Sequence, residues 1–246
     1  MTIDHAAALR SLHVPGTPLV LPNVWDAASA RAVQEAGFPA VATGSAAVAR
    51  VLGYADGEGT PVGEMMAAVA RVVRAVDVPV TADVERGYRL KPAELAERLL
   101  ATGAVGCNLE DSIPGTGELA DAGAQADFLA GVRDAAGPGL VINARIDTYI
   151  RGRTSREEAV ERGRRYLAAG ADCVYPIGLG DEDEIRALVG ELGAPVNVLF
   201  RPGVPALARL GELGVARISF GGGLHQAAHV YAQGLFAKVR EGQSPY

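Results

Sequence analysis

The stretch Pro79-Val80-Thr81-Ala82-Asp83-Val84-Glu85-Arg86-Gly87-Tyr88 begins as a strand and ends in charge. Val78, Val80 and Ala82 are apolar, and the run is β-branched enough to pair in a sheet. Side chains alternate along a strand, so Asp83 and Glu85 are expected on one face, with Gly87 ending the strand. Two neighbouring carboxylates repel unless a cation lies between them. A hard divalent ion, Mg2+ or Mn2+, prefers such oxygen ligands. For this pair alone a second reading stands equally open: one acid caps the next helix and the other is solvated. Whether other strands end the same way separates the two.

The elements that must carry these residues repeat. Helix-like segments end at Gly37, Gly103, Gly170 and Gly214, and a short apolar run follows each. Glycine just past a helix end reads as a left-handed cap. Eight strands are expected, at Leu19–Asn23, Ala40–Gly44, Val78–Val84, Val105–Leu109, Leu140–Ala144, Asp172–Pro176, Val196–Phe200 and Ala216–Phe220. Helical patterns lie between them, clearest over Leu90–Ala101 and Ser155–Ala169. Eight evenly spaced βα units predict a (β/α)8 TIM barrel, with residues 1–246 as one domain preceded by a short N-terminal helix. Barrel sites lie at the C-terminal ends of the strands. Those ends are polar here: Asn23 and Asp26, then Thr43, Gly44 and Ser45, then Asp83 and Glu85, Glu110 and Asp111, Asn143 and Arg145, and Asn197 with Arg201. Carboxylates and an arginine converging on one mouth favour the metal reading.

Bulk properties narrow the partners. A formal net charge of −6 without a basic run argues against nucleic acid. No apolar stretch reaches the roughly 20 residues that span a bilayer. Met1 to Val14 lacks a secretory apolar core, and Cys107 and Cys173 fall in strand-like runs, so buried thiols in a cytoplasmic protein are expected. The two lysines, Lys91 and Lys238, lie outside the strands, which disfavours Schiff-base chemistry.

The runs L-P-N-V-W-D-A-A-S-A-R, T-G-S-A-A-V-A, T-A-D-V-E-R-G-Y, N-L-E-D and N-A-R-I-D, in this order from Leu21 to Asp147, resemble the isocitrate lyase/phosphoenolpyruvate mutase superfamily. The resemblance implies a Mg2+-dependent (or Mn2+-dependent) barrel acting on 2-oxo or 2-hydroxy acids through enolate-like intermediates. It also implies a homodimer or homotetramer with a swapped last helix. Asp83 matches the metal-binding aspartate, and Glu85 and Glu110 match acids that hold the metal directly or through water. Arg145 matches the arginine that neutralises the substrate, and Asp56 a further catalytic aspartate. Gly44 and Ser45 match the loop whose N–H groups grip the substrate carboxylate, and Trp25 and Asn197 are expected to line the substrate.

The chain departs from the superfamily in its acid–base half. The lyases carry Lys-x-Cys-Gly-His in the loop after the fourth strand, where this chain has Ser112-Ile113-Pro114-Gly115-Thr116-Gly117-Glu118-Leu119. Tyr175-Pro176 is followed by Ile177 rather than Glu. The expected activity is therefore a small C–C cleavage or decarboxylation of a 2-oxo diacid, with residues Ser112–Gly123 as a lid that excludes water. Phosphonate P–C chemistry and a 2-oxo acid binding protein without turnover are the alternatives. His225 and His229, four apart on the last helix, read as an interface feature rather than a metal pair. Gly221-Gly222-Gly223 reads as a tight turn, with phosphate binding as the minor option.

Overall fold

The computed structural model describes residues 4–152 and 155–246. Among these residues are nine strand segments: β1 (Leu19–Leu21), β2 (Asn23–Val24), β3 (Val41–Thr43), β4 (Val80–Asp83), β5 (Gly106–Glu110), β6 (Val141–Ile146), β7 (Cys173–Pro176), β8 (Asn197–Leu199) and β9 (Arg217–Ser219). The helices are α1 (His5–Ser11), α2 (Ala27–Glu35), α3 (Ser45–Leu52), α4 (Val62–Val73), α5 (Pro92–Thr102), α6 (Ala122–Ala136), α7 (Arg156–Ala168), α8 (Glu182–Leu192), α9 (Leu207–Glu212) and α10 (Gly223–Arg240). All eight expected strand positions are occupied. The first is split at Pro22, which has no N–H to give a ladder. The split matters for closure, because β1 pairs with β9 while β2 pairs with β3. The remaining ladders are parallel from β3 to β7 and from β8 to β9. A parallel bridge between Val174 and Val196 joins β7 to β8, so the two sheets form one ring.

Two apolar layers hold the ring. Outside it, strand residues such as Ala82, Cys107 and Ile142 pack with Leu95, Leu99 and Leu129 of the surrounding helices. Inside, α1 closes the N-terminal end: Leu9 packs with Leu19, Leu21, Ala42 and Val141. Gly106 makes that closure possible, since a Cβ there would lie 2.8 Å from Leu9 Cδ2 and 2.9 Å from Thr81 Oγ1. The four expected helix-ending glycines all have positive φ, from +84° to +98°. Both cysteines are buried thiols, pushed up to about 12 chiefly by burial. Among the described residues no helix is long and apolar enough to cross a membrane.

Candidate active site

A cavity of about 750 Å3 opens at the C-terminal end of the barrel. Register explains what faces it. Glu110 pairs with Arg145 and Arg145 with Tyr175 across β5, β6 and β7, so the three side chains leave the same face side by side. One layer deeper, Asp83, Asn108 and Asn143 are aligned in the same way. Asp83, Asn108, Arg145 and Tyr175 line the cavity, with Ser45 and Asp56 at its mouth.

Arg145 is the electrostatic centre. Its Nε and Nη2 donate to Asp147 Oδ1 and Oδ2 at 2.6 and 2.8 Å, and its Nη1 lies 2.5 Å from Glu110. Asp147 is fully buried and also accepts from the Ser112 hydroxyl. The planar fork expected to face substrate is thus largely committed to protein acids, leaving the charge rather than the fork available to the cavity. Burial pushes the Glu110 carboxyl upward. Arg145 pulls it back, and Asp147, Asp83 and Glu85 add to the rise.

Glu85 departs from expectation. β4 ends at Asp83, and Glu85 sits at φ +52°, so strand alternation does not place it. It is buried, accepts from Glu58 N at 2.5 Å and from Tyr88 Oη at 2.9 Å, and is pushed up to about 7, chiefly by burial. Asp83 Oδ2 accepts from Ser45 N and Oγ at 3.2 and 2.8 Å. Asp56 is exposed on the rim, yet the surrounding protein raises its pKa by desolvation, with Asp83 adding to the rise.

The three expected metal acids do not form a ready cage: among the described residues no three His, Cys, Asp or Glu side chains converge on one point. The donor chemistry still fits Mg2+, which keeps several waters and takes one or two carboxylates. Asp83 Oδ1 has only a 3.5 Å contact from Glu85 N, and three acids around it are raised by crowding and burial, a condition that a cation relieves.

Other expectations need correction. Gly44 N donates to Val24 O and Ser45 N to Asp83, so neither N–H is open to a carboxylate. The start of α3 has no side-chain cap, which leaves its first-turn N–H groups at Ala46, itself on the cavity wall, for that role. Asn197 is fully buried beneath the cavity and bonded to Ser219, which does line it. Trp25 packs with Val48 and Met65 and meets His225 edge-on at 5.0 Å, away from the cavity. Asp111 turns outward to Arg162 and Tyr166. The segment after β5 is a small hairpin bridged between Ser112 and Leu119, and Asp121 caps α6. None of its residues lines the cavity. The His225 and His229 rings lie 4.3 Å apart, inclined by 56°, with no third donor among the described residues.

Two residues escaped the sequence reading. Tyr175 is buried on the cavity wall and pushed up to about 12, mainly by burial, so it keeps its proton at neutral pH. Its in-facing parity with Arg145 was available from strand alternation. Arg217 is fully buried inside the barrel, donates to Asn108 Oδ1 at 3.2 Å, and has no acid partner among the described residues. An arginine at an in-facing position of the expected strand Ala216–Phe220 was its signal.

Residues 9–240 match the family model for phosphoenolpyruvate phosphomutase. An uncharacterised Mycobacterium tuberculosis protein is 36% identical over 228 residues, covering 90% of this chain and 86% of that one. Oxaloacetate decarboxylase of Rhodopseudomonas palustris is 31% identical over 213 residues, covering 78% and 70%. The solved structure of a provisionally assigned phosphonomutase from Burkholderia cenocepacia superposes with a TM-score of 0.91 at 44% identity, covering 96% of this chain and all of that one.

Proposed function

The chain belongs to the phosphoenolpyruvate phosphomutase family, and from that premise we propose that it is a Mg2+-assisted lyase that cleaves the C–C bond next to a 2-oxo or 2-hydroxy acid. The observation that carries the reading is that Arg145 and Tyr175 line the cavity with Asp83 and Asp56, Glu110 being paired to Arg145 beside them: one cation and one protonated phenol among acids. Similarity to an oxaloacetate decarboxylase supports the C–C assignment. Asp83 would hold the metal, with Glu85 and Glu110 acting through water. The bound ion would polarise the 2-oxo group and stabilise enolate charge. Arg145 adds a fixed positive charge at the same place, and preorganised donors of this kind are worth about 10²–10³ in rate. Ala46 and the first turn of α3 orient the carboxylate. Tyr175 supplies a proton to the enolate carbon after the bond breaks.

Loss of CO2 needs no acid on the leaving group, so decarboxylation makes the smaller demand on a site whose hairpin offers none. A second reading has its own observation: the uncapped N-terminus of α10, Gly222-Gly223-Leu224, lines the cavity, and such ends bind phosphoryl or phosphono groups. Incubation with Mg2+ and either oxaloacetate or phosphonopyruvate separates the two. Pyruvate and CO2 from the diacid support the lyase, phosphate or phosphoenolpyruvate from the phosphonate supports the second reading, and saturable binding without product leaves a binding protein. We extend the proposal to assembly. Along α10, Tyr231 is 71% and Phe236 69% exposed, beside Val230 and Val239, an apolar face that a homodimer or homotetramer would cover.

A further inference from the structure

The cavity is divided by chemistry. Its polar half comes from the start of α3 and the ends of β4, β5 and β6: Ser45, Asp83, Asn108 and Arg145. Its other half comes from the end of β8, the loops after β7, β8 and β9 and the first turn of α10, and there Ile177, Leu199, Phe200, Val204, Phe220 and Leu224 supply apolar surface. Phe200 and Phe220 meet at 5.6 Å with their rings inclined by 60°, an edge-to-face pair. Both are fixed through the backbone, because Phe200 N donates to Ser219 O at 2.7 Å and Phe220 N to Asn23 Oδ1 at 2.8 Å. The wall is therefore built rather than loosely draped.

A further acid, carried on the substituent, would need a donor there. The cation on that side is Arg201, whose Nη2 donates to Gly178 O at 3.0 Å and which also borders a neighbouring surface groove. It stands at the rim and is turned toward the loop after β7. Size points the same way, since pockets of about 300–1,000 Å3 hold drug-sized ligands, and 750 Å3 exceeds what a four-carbon diacid fills.

We propose that the substrate is a 2-oxo diacid bearing a branched alkyl or aryl substituent on the carbon beside the scissile bond, with that substituent seated against Phe200 and Phe220. This rests on the lyase reading and names its substrate class. After CO2 loss such a diacid leaves a 2-oxo acid with an apolar tail, so tailed 2-oxo acids are product ligands that report on the wall without turnover.

The test is calorimetric titration of the full chain with Mg2+ present, using pyruvate, 4-methyl-2-oxopentanoate and 2-oxoglutarate. Each buried methylene should tighten binding by about fourfold. The branched acid is thus expected to bind at least tenfold tighter than pyruvate, and tighter than 2-oxoglutarate, whose tail of similar length ends in a carboxylate. Phe200→Ala should remove about tenfold of the branched acid's affinity while leaving pyruvate within about twofold, and Phe200→Leu should keep most of the preference. Binding of 2-oxoglutarate as tight as the branched acid, equal affinity for pyruvate and the branched acid, or equal loss of both in Phe200→Ala overturns the inference and leaves the lyase reading standing. Failure of all three acids to bind overturns both.

Discussion

Replacing Arg145 with Met strands two buried acids. The guanidinium gives two hydrogen bonds to Asp147, which has no exposed surface, and a third contact to Glu110 at 2.5 Å. Removing one partner of a buried ion pair costs about 3–5 kcal/mol, because the remaining charge has neither water nor a counter-ion. The two acids do not share the cost equally. Burial already raises the Glu110 pKa, so without Arg145 it takes up a proton and its contribution stays small. Among the described residues Asp147 keeps only the Ser112 hydroxyl on its oxygens, and it carries most of the penalty. For a chain of this size, where each kcal/mol moves Tm by about 2–4 °C, the expected fall is about 6–20 °C. Urea denaturation and a thermal scan at pH 7.5 measure it. Adding Asp147→Asn to Arg145→Met should recover half or more of the loss, since it removes the stranded charge. A single variant within 1 kcal/mol of wild type, or a double variant in which the two losses simply add, would refute the reasoning.

The remaining predictions concern elements around the site. His13 is buried with no partner for Nε2 among the described residues, and its pKa is lowered to about 4 by burial and then by Arg217. The unfolded chain takes up that proton near 6.5, so stability from this residue is intact above pH 6.5 and falls between 6.5 and about 4, by up to about 3 kcal/mol. His13→Gln should flatten that slope in denaturation curves at pH 7.5, 6 and 5, and an unchanged slope means that His13 is hydrated. Gly106→Ala should destabilise by about 1–3 kcal/mol through its clash with Leu9 and Thr81, with partial rescue by Leu9→Ala; full stability would show that α1 does not seat where described. Tyr175→Phe should lower kcat by about a hundredfold or more while substrate binding holds, and a matched loss in KM alone would assign the phenol to binding.

The strand positions were legible because each βα unit carries its own punctuation, and glycine ends the helices where periodicity predicts. Asp83, Glu110 and Arg145 were legible because they lie on regular strands, whose alternation fixes direction. Legibility failed just past the strand ends. Glu85 adopts a left-handed backbone that no alternation rule covers, and Asp111 turns from the mouth to meet Arg162 and Tyr166. Asn197 has a site-like residue type but sits one layer too deep, because sequence parity gives the face of a strand and not the depth along the barrel. Trp25 was claimed by packing, an interaction set by helices distant from it in sequence.

The central claim is that Asp83 anchors a divalent ion required for C–C cleavage. The measurement that addresses it is Mn2+ titration of wild type and Asp83→Ala by electron paramagnetic resonance, with turnover of the diacid followed in the same samples before and after EDTA. Wild type is expected to bind Mn2+, to lose turnover in chelator and to regain it with excess Mg2+, and Asp83→Ala to lose both binding and turnover. Undiminished turnover by Asp83→Ala in the presence of chelator would contradict it.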